Sequence, residues 1–200
     1  MKSKICLTLC LTLAIAACVI SVAPFANTCE NIRRDVLRLH VVADSDSETD
    51  QKLKLLVRDE VLKKGGELFD GTLTADEAQR VITPKTDELK AAAENVLRQN
   101  GCGNSVEITV GEEYFATRCY EDFTMPAGVY TAVRVNIGSA EGQNWWCVMF
   151  PPLCLPAASA DADAFFTKDE MKVVSSSPEY EPRFKMVEIY ESLKNKFLER

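Results

Sequence analysis

The chain has 200 residues, with a hydrophobic share of 46%, a charged share of 26% and a formal net charge of −7. These values suit one globular domain preceded by a targeting segment. The acidic balance argues against a nucleic-acid-binding protein, because such proteins need basic surface to neutralise phosphates. A solvated acidic face is the simplest explanation of the charge.

Residues 1–28 have the pattern of an export signal. Lys2 and Lys4 form a positively charged start, and residues 5–25 then run without a charge, as in secretory signals. Three outcomes stay open: cleavage after the small residues 21–23, lipidation of Cys18, or retention as a membrane anchor of about 21 apolar residues. Each outcome puts the remaining chain outside the cytoplasm of the cell that makes it.

Two long helices are predicted in the first half of the folded part. The first begins at a capping box that starts at Ser45 or Ser47, and we expect it to end at the two glycines 65–66. The second begins at a capping box at Thr74. Pro84 interrupts its apolar pattern, which predicts either a kink or two separate helices.

The alternating segments predict strands. In the first, over residues 36–42, Arg38 and His40 form the polar face of a half-buried strand. The others lie at residues 105–110, 113–120, 129–137 and 145–150. Together with the helices they predict an α+β fold over residues 29–155, a mostly antiparallel sheet of about five strands with helices packed on one face.

The C-terminal part divides into two segments. Residues 156–182 are rich in Ala, Ser, Asp and Pro and are predicted to form a loop. Residues 183–200 are predicted to form an amphipathic helix that begins near Pro182. Its expected apolar stripe consists of Phe184, Val187, Tyr190, Leu193 and Phe197.

Residues 144–154 contain both tryptophans, two cysteines and a double proline. Alternate side chains of a strand point to opposite faces, which predicts Trp145 on one face and Trp146 with Phe150 on the other. Both faces are apolar, so core must cover one and a helix, another segment or a partner the other. Because tryptophan is enriched at binding hot spots, we predict a partner-binding surface here. Its candidate residues are Trp145, Trp146, Phe150, Arg38 and His40.

Five cysteines follow residue 28, an odd number that leaves at least one thiol unpaired or paired between chains. Cys29, next to the signal, is the expected odd one. Four cysteines allow three pairings, and the disulfide candidates are Cys147 with Cys154 and Cys102 with Cys119. Zinc is disfavoured because the chain has one histidine and no CxxC sequence. The sequence therefore predicts no metal and no cofactor.

His40, Asp44, Asp46 and Asp50 lie around the predicted strand-to-helix junction. A metal or acid–base site is one interpretation, and helix capping by the acids is the simpler one. The chain contains no GxSxG, HExxH, P-loop or GxGxxG sequence. An extracytoplasmic hydrolase using His40 with Asp44, Asp46 or a cysteine is the alternative function. A cysteine nucleophile is disfavoured because exported chains usually oxidise their thiols.

Two blocks of the sequence resemble the stage II sporulation protein R family. Residues 39–59 are similar to its opening motif and residues 144–154 to its second signature, so the resemblance covers roughly residues 33–155. The family usually has Asn where this chain has Asp44, and an aromatic residue where it has Leu155. The motif residues in this chain are Asp44, Ser45, Asp46, Asp50, Gln51, Arg58 and Asp59.

The resemblance implies a developmental signal of endospore-forming Firmicutes and not an enzyme. Such a protein is made in the forespore and secreted into the intermembrane space. There it is required for a membrane-embedded aspartic protease of the mother cell to process the precursor of a sigma factor. The implied partners are that protease and, if the N-terminal segment is uncleaved, the membrane. A structural module of the intermembrane space is a third interpretation.

Overall fold

The computed structural model describes residues 2–69, 74–120, 123–153, 165–175 and 182–198. The α-helices in these ranges are α1 (Lys2–Arg34), α2 (Glu48–Leu68), α3 (Ala75–Ile82), α4 (Thr86–Gln99), α5 (Lys168–Val174) and α6 (Pro182–Leu198). The strands are β1 (Leu37–Val42), β2 (Val106–Phe115), β3 (Arg118–Cys119), β4 (Thr124–Met125), β5 (Gly128–Ile137) and β6 (Asn144–Phe150).

The chain divides into two compact units. One unit contains α1, the β3–β4 ribbon, α5 and α6. The other contains β1, β6, helices α2 to α4 and nearly all of β2 and β5. The second unit is discontinuous along the chain, because residues 115–128 belong to the unit that holds α1. The predicted domain of residues 29–155 stays a prediction.

The four-stranded sheet is mixed and has the order β2-β5-β1-β6. Strand β1 pairs in parallel with β5 and antiparallel with β6, while β3 and β4 form a separate two-stranded ribbon. The α+β class is confirmed, but the prediction of about five mostly antiparallel strands is only partly met. The chain between β1 and β5 contains three helices, and a connection of that length permits parallel pairing.

The core of the unit that contains the four-stranded sheet lies between that sheet and helices α2 to α4. Pro84 sits in a 3-10 turn (Thr83–Lys85) that separates α3 from α4, so of the two predicted alternatives, a kink or two helices, the structure has two helices. The capping box at Thr74 is also present. The core includes Leu37, Leu39 and Val41 of β1, Val57 and Val61 of α2, Ala78 and Ile82 of α3, and Leu89, Ala93 and Leu97 of α4.

Strand β6 contains a bulge that changes which way its last residue points. Leu37 pairs with Phe150 while its neighbour Arg38 pairs with Val148, so Met149 is the extra residue. Phe150 is therefore buried in the helix-side core, with ring contacts to Phe69 at 5.7 Å and Phe165 at 5.6 Å. This corrects the prediction that Phe150 shares a face with Trp146.

The two glycines of α2 do not end the helix, which continues to Leu68. Gly65 is buried, and a Cβ there would run into the side chain of Met149. The prediction of a glycine stop is wrong because Gly65 permits a close approach between α2 and β6 instead. Gly66 is exposed, and a Cβ there would meet nothing.

The predicted loop of residues 156–182 contains helix α5. Thr167 and Glu170 form a capping box at its start, and Val173 and Val174 are buried. Seven residues with one short apolar face give a weak periodic signal, which explains why composition alone suggested a loop. The rest of residues 156–182 lies outside the described part, apart from the residues that flank this helix and Pro182.

The expected apolar stripe of α6 is divided between two faces. Phe184 and Val187 are buried, whereas Tyr190, Leu193 and Phe197 are exposed. Steps of three residues fall short of a helical turn of about 3.6 residues. The stripe therefore drifts around the helix, and its two ends face different surroundings.

Helix α1 runs without interruption from Lys2 to Arg34 and has Pro24 inside it. Residues 2–28 of the predicted export segment lie within this helix. The buried residues Cys29 and Ile32 belong to the same helix and follow that segment. Within the part of the chain that the structure describes, no helix combines the length and apolarity needed to cross a bilayer. Export of the chain stays a prediction.

We expect Gly66→Ala to raise the free energy of unfolding by up to about 1 kcal/mol, because alanine loses less backbone entropy in a helix and meets no neighbour here. Gly65→Ala should gain less, since its Cβ displaces the Met149 side chain. Urea denaturation of the two variants measures both effects. Equal stabilisation would contradict the close approach at Gly65.

Candidate functional site

The connection between β5 and β6, residues 138–143, crosses the end of β1. Because β1 lies between these strands, the connection must bridge it and cannot form a hairpin. Its backbone bonds to the residues that follow β1: the Glu141 amide donates to the Asp44 carbonyl at 3.1 Å, and the Gly142 amide to the Ala43 carbonyl at 2.9 Å. We call residues 138–143 the crossing loop and residues 43–47 the anchor loop.

Two acids of the anchor loop hold the crossing loop through side-chain bonds. Asp44 Oδ1 accepts the Ser139 amide at 2.6 Å and the Ser139 hydroxyl at 3.0 Å. Asp46 Oδ1 accepts the Gln143 amide at 2.8 Å. The Ser139 bonds hold the pKa of Asp44 below its usual value, since hydrogen bonds to a carboxylate favour its charged form.

Two glycines permit this close approach of the loops. Gly138 has φ +57, and a Cβ there would collide with the Asp44 carboxylate. A Cβ on Gly142 would collide with the Ser45 carbonyl. Larger residues at either position would push the loops apart.

The other polar motif residues fix the start of α2. The Ser47 hydroxyl accepts the Asp50 amide at 3.1 Å and donates to Asp50 Oδ2 at 2.8 Å, which confirms Ser47 as the helix cap. Ser45 donates to the same carboxylate at 2.5 Å, and Gln51 Nε2 donates to the Ser45 carbonyl at 2.9 Å. These bonds give Ser45, Asp50 and Gln51 structural functions.

Lys54 joins α2 to the crossing loop, and sequence reasoning missed it. Its side chain is buried, and its Nζ donates to the Gln143 carbonyl at 2.9 Å and to Gln51 Oε1 at 2.5 Å. Burial lowers the pKa of Lys54, Asp46 opposes the shift, and the Arg58 charge adds to it. A lysine on a helix with many charged residues is expected to be exposed to solvent, so the sequence pattern did not indicate that Lys54 is buried.

His40 lies in a polar cluster on the sheet face opposite α2 to α4. It is 2% exposed, with Nδ1 at 2.7 Å from Glu113 Oε1 and Nε2 at 2.8 Å from Asn144 Oδ1. The Trp146 ring packs on it at a centroid distance of 3.6 Å. Arg134 Nη1 also binds Glu113, at 3.2 Å. This corrects the prediction that β1 is half-buried with Arg38 and His40 on its polar face, because all six residues of the strand are buried.

The carboxylate partner of His40 is therefore Glu113, and the structure does not group His40 with Asp44 or Asp46 as an acid–base site. Those two acids hold the crossing loop instead. Glu113 lies in β2, so its distance along the chain hid it from spacing arguments. Among the described residues, no group of three or more His, Cys, Asp or Glu could hold a metal ion.

Arg38 is fully buried on the same sheet face as His40. Its Nε donates to the Cys147 carbonyl at 2.9 Å, and its guanidinium lies 5.0 Å from the centroid of the Tyr130 ring. Arg38, His40 and Phe150 are thus buried, which makes them supports of the sheet in this structure and not exposed candidates for docking.

Trp145 is the exposed residue of the predicted partner-binding set, with 37% of its surface accessible. The Arg58 guanidinium lies over its ring at 4.5 Å from the centroid. Asp59 holds that guanidinium through bonds of 2.7 Å to Nη2 and 2.8 Å to Nε. These three side chains, which we call the Trp145 patch, combine an aromatic face with a fixed charge pair. Trp146 is half-buried against His40.

The predicted bond between Cys102 and Cys119 is absent, because both thiols are free. Cys102 packs against the helix-side core, where a thiol acts as a small apolar group, while Cys119 is exposed on β3. Cys147 is disulfide-bonded. Cys154 lies outside the described residues, so its pairing with Cys147 stays a prediction.

Comparisons with known proteins agree with the resemblance. The model of the family described as stage II sporulation protein R matches residues 33–160. Stage II sporulation protein R of Bacillus subtilis (strain 168) is 39% identical over 118 residues, which are 59% of this chain and 53% of the relative. The match thus spans about half the length of that relative. No solved structure matches the chain.

Replacement of Asp44 should change how stability depends on pH. The folded pKa of Asp44 is lowered, so its carboxylate adds stability above the unfolded pKa of about 3.9 and loses it as pH falls through the folded value. Asp44→Asn keeps an acceptor oxygen but removes this charge. We expect the variant to unfold more easily than the parent at pH 7 and the difference to shrink below about pH 4. Urea midpoints at both pH values test this, and a pH-independent difference contradicts it.

Glu113→Ala should lower the free energy of unfolding by about 1–3 kcal/mol, because it leaves His40 Nδ1 buried without its acceptor. Glu112→Ala, at an exposed neighbour on β2, is the matched control and should cost less than about 0.5 kcal/mol. Urea denaturation compares them. Equal costs would remove Glu113 from the support of His40.

Proposed function

Because the chain belongs to the stage II sporulation protein R family, we propose that it is the secreted signal that activates a membrane-embedded aspartic protease of the mother cell. Membership implies a role in sporulation. The match over residues 33–160 carries the proposal, since it includes the anchor loop, the crossing loop and the Trp145 patch. Activation would lead to processing of the precursor of the mother-cell sigma factor.

The proposed site of action is the intermembrane space between forespore and mother cell. The support is the N-terminal pattern of two lysines followed by an uncharged run to Phe25. Export would bring the folded part to the outer face of a protease embedded in the opposite membrane. The exported chain would therefore reach the protease without crossing the second membrane.

We assign activation to binding and not to chemistry. His40 has its two ring nitrogens occupied by Glu113 and Asn144, and Asp44 and Asp46 are occupied by the crossing loop. These partners make the polar motif a support for the fold, which weakens the alternative of a hydrolase. A ligand activates a receptor only by binding its active state more tightly than its inactive state.

The Trp145 patch is the proposed contact surface. An exposed tryptophan with a stacked arginine supplies apolar area and a fixed charge, both of which are enriched at binding hot spots. Asp59 orients Arg58 before binding, so little side-chain entropy is lost on contact. Stabilising an active dimer of the protease is one way in which such a contact could be used.

Co-expression of this chain with the protease and the sigma-factor precursor, in a host without sporulation proteins, tests the proposal. Precursor cleavage that requires both proteins is the expected result. Cleavage by this chain alone would favour the hydrolase. Recovery of other envelope proteins without the protease in a pull-down would favour the structural module.

Trp145→Ala should reduce precursor cleavage at least about tenfold in this assay, while the protein stays folded, because hot-spot truncations cost about 2 kcal/mol or more. Val81→Ala, at a residue of similar exposure on α3, is the matched control and should signal normally. Trp146→Ala should also lower stability, since Trp146 packs on His40. Normal signalling by a folded Trp145→Ala protein would remove the patch from the contact surface.

A further inference from the structure

Helix α6 carries an exposed apolar stripe that the fold of its own unit does not use. The stripe consists of Met186, Ile189, Tyr190, Leu193 and Phe197, whose exposed fractions run from 42% to 74%. Spacings of three and four residues put these side chains on one side of the helix. Large apolar side chains grouped in this way mark a surface that another molecule covers.

The opposite side of α6 packs against its own unit. Phe184 and Val187 are buried, and the Phe184 ring packs edge-on against Phe25 of α1 at 5.0 Å. The Arg183 guanidinium lies over the same Phe25 ring at 4.8 Å. Because these contacts lie on the other side of the helix, α6 can remain attached to α1 while its stripe contacts something else.

Basic residues border the stripe on both sides. At about 3.6 residues per turn, Lys185 and Lys196 lie along one border of the stripe, and Lys194 lies along the other. Glu188 and Glu191 lie toward the buried side, so the four basic and two acidic residues of α6 give it a net charge of +2 in a chain of net charge −7. The lysine ion pairs, Lys185 with Glu188 and Lys194 with Glu191, involve partly exposed lysines and are worth little.

We infer that α6 lies in the surface of an anionic membrane, with its stripe at the boundary between headgroups and acyl chains. An apolar face with lysines along its borders is the arrangement of interfacial helices, since lysine stems cover apolar area while their ammonium groups reach the phosphates. A second copy of α6 is a poorer occupant, because pairing the stripes would bring like-charged borders together.

This inference does not depend on the proposed function. Helix α6 lies beyond residues 33–160, the part that the family model matches, and it needs no protease. The occupant is an anionic lipid surface as such. The experiment therefore uses the full chain and vesicles without any other protein.

Vesicle flotation of the full chain tests it, with equal parts of phosphatidylglycerol and phosphatidylcholine in one vesicle set and phosphatidylcholine alone in the other. We expect tighter binding to the anionic set and weaker binding as salt is added. Leu193→Ser with Phe197→Ser, and separately Lys185→Glu with Lys196→Glu, should each weaken anionic binding at least about tenfold. Circular dichroism should remain unchanged, since all four residues are exposed.

The matched controls change exposed apolar residues and exposed lysines outside α6. Leu56→Ser with Val81→Ser replaces two exposed apolar residues, and Lys52→Glu with Lys172→Glu reverses two charges on exposed side chains. Both should bind like the parent. Equal binding by all five proteins would overturn the inference and assign any vesicle binding to α1. Unchanged vesicle binding with loss of self-association in the α6 variants, seen by light scattering, would overturn it in favour of a second copy.

Discussion

The attachment of the crossing loop to the anchor loop is the constraint on which the unit that contains the four-stranded sheet depends. Strand β1 lies between β5 and β6, so the chain must pass over the end of β1 before β6 can pair. Asp44 and Asp46 hold that passage by accepting backbone amides, and Gly138 and Gly142 make room for it. Where this loop lies decides the position of every residue that follows in β6.

Buried polar groups extend the same constraint across the sheet. Lys54 bonds the crossing loop to α2, His40 joins Glu113 to Asn144, and Arg38 bonds the Cys147 carbonyl. A satisfied buried group adds little net stability, but an unsatisfied one is costly. Such groups therefore penalise alternative registers of β6 more than they stabilise the native one.

This division between support and surface explains how a motif rich in polar residues can lie in a chain for which we propose action by binding. The acids and serines after β1 look like a catalytic cluster in sequence, yet they set the loop and the helix start. The exposed Trp145 patch and the exposed stripe of α6 lie in different units.

The sequence by itself determined the features that depend on neighbouring residues: the cap at Thr74, a cap at either Ser45 or Ser47, an interruption at Pro84, the alternation of β1 and the membership of the family. Only the tertiary structure decided the mixed strand order, the bulge beside Phe150, the continuation of α2 beyond Gly65 and the pairing of His40 with Glu113. Each of these rests on contacts between residues far apart in the chain. Periodicity and capping reflect interactions between residues that are close in the sequence. Contacts between distant residues form only when the chain folds, so these sequence patterns do not report them.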